Sequence, residues 1–307
     1  MYGVIDIGSN TIRLNVYKLM DDNFKLLFKN KFYAGLAGYV VDGRLSMEGI
    51  QKASSVLYDY KRTVDNLDIK DLLAFATASL RNIRNSQEAR LLIEKLTGVR
   101  IEVLSGEEEG LLGYKGAMFD VNLNEGVVVD IGGSSTELVA IQDGKVIKTR
   151  SFPMGGLNMY LKNVEQILPQ KEETKRMRKF AMSVLSEETM NPPGDTSVIC
   201  GVGGSMRSLR MINNSIHGHP LFHKTIEKEE FDEILSRLTN DSMFAREKLI
   251  KTCPERIHTM IPSLCIMKSV IKALNAKKII VSDYGVREGY LYSRVIQQRG
   301  ETDGETL

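Results

Sequence analysis

Two short segments of the chain combine an aspartate with a turn of glycine, hydroxyl and amide residues. They span Val4–Leu14 and Val128–Leu138 and align without a gap, so that Asp6 corresponds to Asp130. Each begins with β-branched residues, breaks at a glycine and resumes an apolar alternation, which predicts strand, tight turn and strand. Turn amides and hydroxyls can donate to an anion, and a neighbouring carboxylate suits a hydrated metal ion. The pattern therefore predicts a duplicated phosphate-binding hairpin.

The predicted phosphate donors lie in three turns of the chain. The first two turns contain Gly8, Ser9, Asn10 and Thr11 in one hairpin and Gly132, Gly133, Ser134 and Ser135 in the other. The third contains Gly203, Gly204 and Ser205 and lies between a predicted strand and a predicted helix, where N-terminal amides can bind phosphate. The same glycines are equally consistent with tight packing of the strand against the helix.

The elements that must position these turns follow the same order in both halves of the chain. Three strands in hairpins precede alternating helices and strands, which predicts mixed sheets with helices on their faces. A length of 307 residues favours two domains, and the polar stretch 120–125 marks the boundary. We expect an α/β fold with two actin-like (ribonuclease H-like) domains, 1–123 and 124–307, and a cleft between them. The last helix, at about 286–299, is a candidate to pack back on the first domain.

Composition limits the classes of partner. Lys and Arg number 41 against 39 Asp and Glu, so no global charge attracts nucleic acid or a membrane surface. No apolar run is long enough to span a bilayer. Cys200, Cys253 and Cys265 lack metal-ligand spacing and are predicted to be reduced, structural thiols. We expect a cytoplasmic protein with no nucleic-acid or membrane partner.

Several motifs give the chain a resemblance to a known family. Five blocks carry it, namely Asp6–Thr11, Ala76–Asn82, Glu102–Glu109, Asp130–Glu137 and Ser282–Gly289. On these blocks the sequence resembles the exopolyphosphatase and guanosine-pentaphosphate phosphatase family, in its short two-domain form. Ser134 and His258 depart from the pattern, which usually has glycine and aspartate at these positions.

The resemblance implies hydrolysis of a terminal phosphoanhydride with help from a divalent metal ion. Arg81 would clamp phosphate oxygens, as a planar guanidinium does well. The implied metal ligands are Asp6, Asp130 and Glu137. Arg81, Asp130 and Glu137 are the expected catalytic residues besides the general base. The expected ion is Mg²⁺, with Mn²⁺ as the alternative, because hard cations prefer oxygen ligands.

The general base is expected in the acidic run 107–109. Glu108 is chosen by alignment with the family pattern, and Glu109 is the second choice. Acidic residues at the start of a helix also complement the helix dipole without any catalytic role. The sequence does not separate Glu107, Glu108 and Glu109 on physical grounds.

The favoured function is removal of terminal phosphate from inorganic polyphosphate. Guanosine pentaphosphate is the second candidate substrate, since it also presents a terminal phosphoanhydride. An actin-like ATPase or sugar kinase, and a non-catalytic polyphosphate or alarmone sensor, are the less favoured classes. The family resemblance also implies a homodimer.

Overall fold

The computed structural model describes residues 1–20, 23–187 and 197–297. They form two compact units: unit 1 comprises residues 1–109 and the described residues from Ser293 on, and unit 2 comprises residues 110–292. The division therefore falls between Glu109 and Gly110, earlier in the chain than the predicted boundary. Gly110 packs against distant residues of unit 2, because a Cβ at this position would lie 3.0 Å from Thr149 Cγ2 and 3.1 Å from Val139 Cγ2.

Unit 1 is built on a five-stranded mixed sheet. The strands of the sheet are β1 (Tyr2–Ile7), β2 (Ile12–Met20), β3 (Asn23–Phe32), β6 (Asp71–Ala76) and β7 (Glu102–Val103). Unit 1 also contains the short strands β4 (Val40–Val41) and β5 (Arg44–Leu45). The sheet order is β3-β2-β1-β6-β7, with β4 and β5 forming a separate ribbon. Strand β1 runs antiparallel to β2 and parallel to β6, so the carboxyl ends of β1, β6 and β7 share one edge.

The helices of unit 1 begin and end at recognisable signals. They are α1 (Met47–Asn66), α2 (Ala78–Arg81), α3 (Ser86–Thr97) and the start of α4 (Gly106–Ala117), with a 3₁₀ turn at Leu36–Tyr39. Ser46 caps α1 by accepting from the Gly49 amide at 3.2 Å. Gly98 ends α3 in the left-handed region that favours glycine, with φ of 69°.

Unit 2 repeats the plan with a six-stranded sheet. Its strands are β8 (Gly126–Ile131), β9 (Thr136–Gln142), β10 (Lys145–Phe152), β11 (Val198–Val202), β12 (Thr225–Glu227) and β13 (Lys278–Val281), in the order β10-β9-β8-β11-β13-β12. The helices are α5 (Gly156–Asn163), α6 (Lys171–Glu187), α7 (Gly203–His217), α8 (Lys228–Asn240), α9 (Ser242–Thr252), α10 (Met260–Leu274) and α11 (Val286–Leu291), with a 3₁₀ turn at Pro254–Arg256.

The last helix differs from its prediction. Helix α11 ends at Leu291 and continues as a π-helical segment, Tyr292–Ile296, instead of one α-helix. The chain from Ser293 on counts with unit 1, while residues 298 and 299 of the predicted helix lie outside the described part of the chain.

The repeated strand order matches the predicted architecture. In both sheets three antiparallel strands lead into parallel ones, so the predicted α/β class with two similar domains is confirmed. All three cysteines are free and buried, as predicted, and burial raises the pKa of Cys200 and Cys265 to about 12 and that of Cys253 to about 11. Within the described ranges, no helix has the length and apolar character needed to cross a membrane.

Candidate active site

The two predicted hairpins have the same turn geometry. The Gly8 amide donates to the Thr11 carbonyl at 3.0 Å, and the Gly132 amide donates to the Ser135 carbonyl at 2.9 Å. These two glycine amides therefore donate within their own turns. They do not serve as the phosphate donors that the sequence predicted. The side chains of Ser9, Thr11 and Ser135 are buried, with residue exposures of 6%, 7% and 3%.

The first hairpin is held from one side by a later segment of the chain. In unit 1 the Gly35 amide donates to the Asn10 carbonyl at 2.9 Å, and the Ala37 amide donates to the Ser9 carbonyl at 3.0 Å. Across a trans peptide the carbonyl of one residue and the amide of the next point in opposite directions. The amides of Asn10 and Thr11 consequently face away from the segment that holds the loop.

The second hairpin is held in the same way, by the start of α5. The Gly156 amide donates to the Gly132 carbonyl at 2.9 Å, and the Leu157 amide to the Gly133 carbonyl at 2.8 Å. The Asn158 side-chain amide donates to the Ser134 carbonyl at 3.0 Å. Fixing three successive carbonyls directs the amides of Gly133, Ser134 and Ser135 to the opposite side, as a phosphate cradle requires.

The two hairpins carry different charges at equivalent positions. Asp6 lies directly opposite Arg13 across β1 and β2, and their charged groups are 3.6 Å apart. Asp130 lies directly opposite Glu137 across β8 and β9. Directly opposed residues have neighbouring side chains on one face of a sheet. The hairpin of unit 1 is therefore balanced in charge, whereas the hairpin of unit 2 presents two carboxylates.

The carboxylate pair of unit 2 has the donor chemistry that Mg²⁺ prefers. Glu137 is 1% exposed, and its Oε1 accepts from the Ser151 hydroxyl at 2.8 Å. No cluster of three or more His, Cys, Asp or Glu side chains in the described ranges forms a complete metal cage. Mg²⁺ at phosphate sites is held by one or two carboxylates, substrate oxygens and water. Asp130 and Glu137 fit that incomplete set, while Asp6 of unit 1 already lies beside Arg13.

Arg81 and Glu109 form the charged pair of unit 1. Arg81 Nη1 donates to Glu109 Oε2 at 2.7 Å and to the Leu104 carbonyl at 3.1 Å. The side chains are 16% and 10% exposed. Arg81 ends α2, which follows β6, and Glu109 lies in the first turn of α4, which follows β7. The pair thus lies at the edge of the sheet where the first hairpin also lies.

Glu108 has different surroundings from Glu109. Its Oε2 accepts from the Ser105 amide at 2.8 Å, while the Ser105 hydroxyl accepts from the Glu108 amide at 3.1 Å. This reciprocal pair is a capping box, which satisfies amides at the start of a helix. Glu107 and Glu108 are exposed, and of the three acidic residues Glu109 is the buried one.

The third predicted turn lies beside the second hairpin. Gly203 has φ of 87°, and a Cβ at this position would overlap Asp130 Oδ1. The Ser205 hydroxyl is buried and lies 3.4 Å from the Ile131 carbonyl and 3.3 Å from Ser263 Oγ. Ser205 therefore joins α7 to β8 and α10 through its side chain. The Gly203 backbone packs closely against the Asp130 side chain, which leaves no room for a side chain at position 203.

The sequence reasoning missed three groups at these sites. They are the segment Gly35–Ala37, the start of α5, and Arg256, whose Nη1 donates to Ser205 Oγ at 3.5 Å. A Cβ at Gly204 would overlap Arg256 Nη2, so this guanidinium lies over the first turn of α7. Gly155-Gly156 before an Asn at position 158 was the available signal, because such a start allows close approach to another loop.

Comparison with known proteins gives one family and several relatives. The model of the Ppx/GppA phosphatase family matches residues 15–298. A guanosine-5'-triphosphate,3'-diphosphate pyrophosphatase of Vibrio cholerae is 26% identical over 98% of this chain, and the match spans 60% of that protein's length. Exopolyphosphatase 1 of Mycobacterium tuberculosis is 21% identical over 99% of this chain and 90% of its own.

Solved structures support the fold. An exopolyphosphatase from Cytophaga hutchinsonii superimposes with a TM-score of 0.83 at 22% identity, over 96% of this chain and 98% of that one. At that identity the likeness concerns the fold alone.

Proposed function

This chain belongs to the Ppx/GppA phosphatase family, and on that premise we propose that it removes the terminal phosphate of inorganic polyphosphate by hydrolysis. One observation carries the proposal: each unit holds the carbonyls of its glycine hairpin from one side and so directs successive amides to the other. Such a set of amides suits a phosphate group, because its dipoles stabilise negative charge without reorganising.

The side chains near the hairpins supply the other requirements of phosphoryl transfer. Arg81 presents a guanidinium that can exchange its bond to Glu109 for bonds to phosphate oxygens. In unit 2, Asp130 and Glu137 would hold Mg²⁺, directly or through water, and Mn²⁺ is the alternative. When bound, the ion would neutralise charge on the phosphate oxygens. Asp6, beside Arg13, would support the first hairpin.

We assign the general base to Glu109, ahead of the sequence-based choice Glu108. A base must lie within hydrogen-bond reach of the water that attacks the phosphate. The carboxylate of Glu109 lies 2.7 Å from the guanidinium that would bind the phosphate. Glu108 instead accepts from the backbone of its own helix start.

Guanosine pentaphosphate is the second candidate substrate. The Vibrio cholerae relative, by its name, acts on guanosine-5'-triphosphate,3'-diphosphate. Both substrates present a terminal phosphoanhydride, so one mechanism serves both. Homodimerisation and a cytoplasmic location stay predictions of the sequence.

The test is phosphate release from long polyphosphate and from guanosine pentaphosphate, measured in parallel with Mg²⁺. Wild type is compared with the matched pair Glu109→Gln and Glu108→Gln. We expect Glu109→Gln to lower kcat by at least roughly a hundredfold, as removal of a general base does. Glu108→Gln should keep most of the turnover, because its amide oxygen can still accept at the cap.

Each outcome of this experiment decides a separate part of the proposal. Phosphate release from guanosine pentaphosphate alone would mean that the nucleotide, and not polyphosphate, is the substrate. A large loss in Glu108→Gln with normal Glu109→Gln would reverse the assignment of the base. Tight binding of either compound without turnover would favour the sensor class and contradict hydrolysis, and ATP-dependent sugar phosphorylation would favour a kinase.

A further inference from the structure

Arg207 lies in α7, just after the turn Gly203–Ser205. Its Nη1 donates to the Asp283 carbonyl at 3.3 Å. It forms no ion pair with a carboxylate anywhere in the described part of the chain. Arg210, three positions further along the helix, differs, because its Nη2 lies 2.6 Å from Asp283 Oδ1. Arg207 is therefore a partly buried cation whose charge has no direct counterpart.

Two acidic side chains at this edge of the sheet, Asp120 and Asp283, are already matched by other cations. Lys224 Nζ lies 2.6 Å from Asp120 and 3.4 Å from Asp283. Although burial opposes it, the hydrogen bond and the charge of Arg210 lower the pKa of Asp283. Two carboxylates thus meet two cations, and Arg207 lies outside this balanced set.

Charges of both signs surround Arg207, and two of them belong to further arginines. Burial lowers the pKa of the Arg207 guanidinium, and the neighbouring Arg287 and Arg256 lower it further, against the opposing charges of Glu288 and Asp130. The Arg256 guanidinium also lies over Gly204, at the end of α7 where the helix dipole is positive. A partly buried guanidinium such as that of Arg207, which has no ion-pair partner in the described part of the chain, favours the binding of an anion.

The location connects this cluster with the proposed reaction. Strand β11, which leads into α7, pairs in parallel with β8, which leads into the second hairpin. Neighbouring strands lie about 4.8 Å apart, so the two turns are side by side at one edge of the sheet. An oligophosphate seated on the Gly132–Ser135 hairpin would have further phosphates close to α7.

We propose that Arg207 binds a phosphate group of the substrate other than the one transferred, and that it sets affinity and not the rate of the chemical step. The inference rests on the proposed function, since it concerns the same substrate. The ligand is the remaining oligophosphate, which inorganic polyphosphate and a nucleoside polyphosphate both supply. Guanidinium donors in a fork suit such an anion, and the ammonium of lysine suits it less well.

The kinetic test compares Arg207→Gln, Arg207→Lys and the control Arg246→Gln, which removes an exposed arginine from α9. Rates are measured with tripolyphosphate, long polyphosphate and guanosine pentaphosphate. For Arg207→Gln we expect KM to rise about tenfold or more and kcat to stay within about twofold, because a charge-assisted hydrogen bond to bound substrate is lost. Arg207→Lys should recover part of the affinity, and Arg246→Gln should match wild type.

The substrates whose KM rises in Arg207→Gln show which compound supplies the phosphate group that Arg207 binds. A rise in KM with polyphosphate alone, with the nucleotide alone or with both supports the proposal and identifies its ligand. An unchanged KM with all three substrates, or a fall in kcat at constant KM, overturns it.

A second measurement does not depend on turnover. Tripolyphosphate is added to the Glu109→Gln protein with and without Arg207→Gln, and thermal unfolding is recorded. We expect the ligand to raise the melting temperature less when Arg207 is replaced, while the ligand-free melting temperature stays equal or rises. An equal ligand-induced shift in both proteins overturns the role of Arg207, even if the protein hydrolyses no phosphoanhydride. The failure of the proposed function and the failure of this inference are thereby distinguishable.

Discussion

Single residues give the two similar hairpins different chemistry. The position opposite the hairpin aspartate is Arg13 in unit 1 and Glu137 in unit 2. An arginine there pairs with Asp6, whereas a glutamate adds a second hard oxygen ligand beside Asp130. We infer that the first hairpin contributes donors only and that the second contributes donors and a metal site.

His258, one of the two departures from the family pattern, makes stability depend on pH. Its ring meets Tyr160 edge to face, with centroids 5.2 Å apart. Burial lowers the pKa of His258 below its ordinary value, and the charge of Arg256 lowers it further. The unfolded chain therefore takes up a proton at higher pH than the folded protein. Stability is complete above the unfolded pKa of about 6.5 and is lost as pH falls through the folded value.

The measurement is urea unfolding at about pH 7.5 and about pH 5.5, for wild type and His258→Gln. We expect the wild-type midpoint to fall more on acidification than the midpoint of His258→Gln, which cannot take up this proton. Equal falls in the two proteins would mean that His258 does not contribute to the pH dependence.

At the scale of elements, glycines set how closely α4 approaches α11. A Cβ at Gly116 would overlap the Gly285 carbonyl, just before α11, and a Cβ at Gly289 would overlap the Leu112 carbonyl. Gly113 lies in the same helix, but a Cβ there would meet only Val286 Cγ2, at an ordinary 3.7 Å. Gly113 and Gly116, both in α4, therefore serve as a matched pair for substitution.

We expect Gly116→Ala to destabilise the protein and Gly113→Ala to leave it unchanged or slightly more stable. Forcing a methyl group against backbone typically costs about 1–3 kcal/mol, whereas alanine gains about 0.5–1 kcal/mol over glycine within a helix. The measurement is the melting temperature of both variants and wild type. Similar melting temperatures for the two variants would show that the α4–α11 approach is not limiting.

At the scale of the whole molecule, positive and negative residues nearly balance, so the binding of a polyanion depends on local groups. With Lys and Arg at 41 and Asp and Glu at 39, attraction of a polyanion must come from local groups, namely hairpin amides, arginines and the proposed metal ion. The proposed metal ion would be the largest of these charges, because a divalent cation carries more charge than any single side chain.

Removing divalent metal should therefore stop hydrolysis. We expect phosphate release to fall to background in excess chelator and to return when Mg²⁺ or Mn²⁺ is added beyond it. Asp130→Asn should need more Mg²⁺ for half-maximal activity, since one anionic ligand becomes neutral. Full turnover in chelator would contradict the metal assignment.

The sequence alone determined the architecture and the location of the candidate site. Strand–turn–strand periodicity and the repeat of Asp6 by Asp130 are local patterns, and they predicted both hairpins and the two α/β domains. The Ser46 cap of α1 and the glycine that ends α3 are local signals of the same kind, because they act within one helical turn.

Tertiary structure decided which of the candidate groups face each other. In the sequence, the three glutamates of the run 107–109 are equivalent. Successive residues point about 100° apart around a helix, so their side chains have different surroundings. Glu109 is buried against Arg81, and Glu108 caps the helix. The boundary at Gly110 and the unmatched charge of Arg207 were also beyond the sequence, since each depends on residues far away in the chain. Local patterns fix elements and turns, whereas charge pairing and burial arise only when distant segments meet.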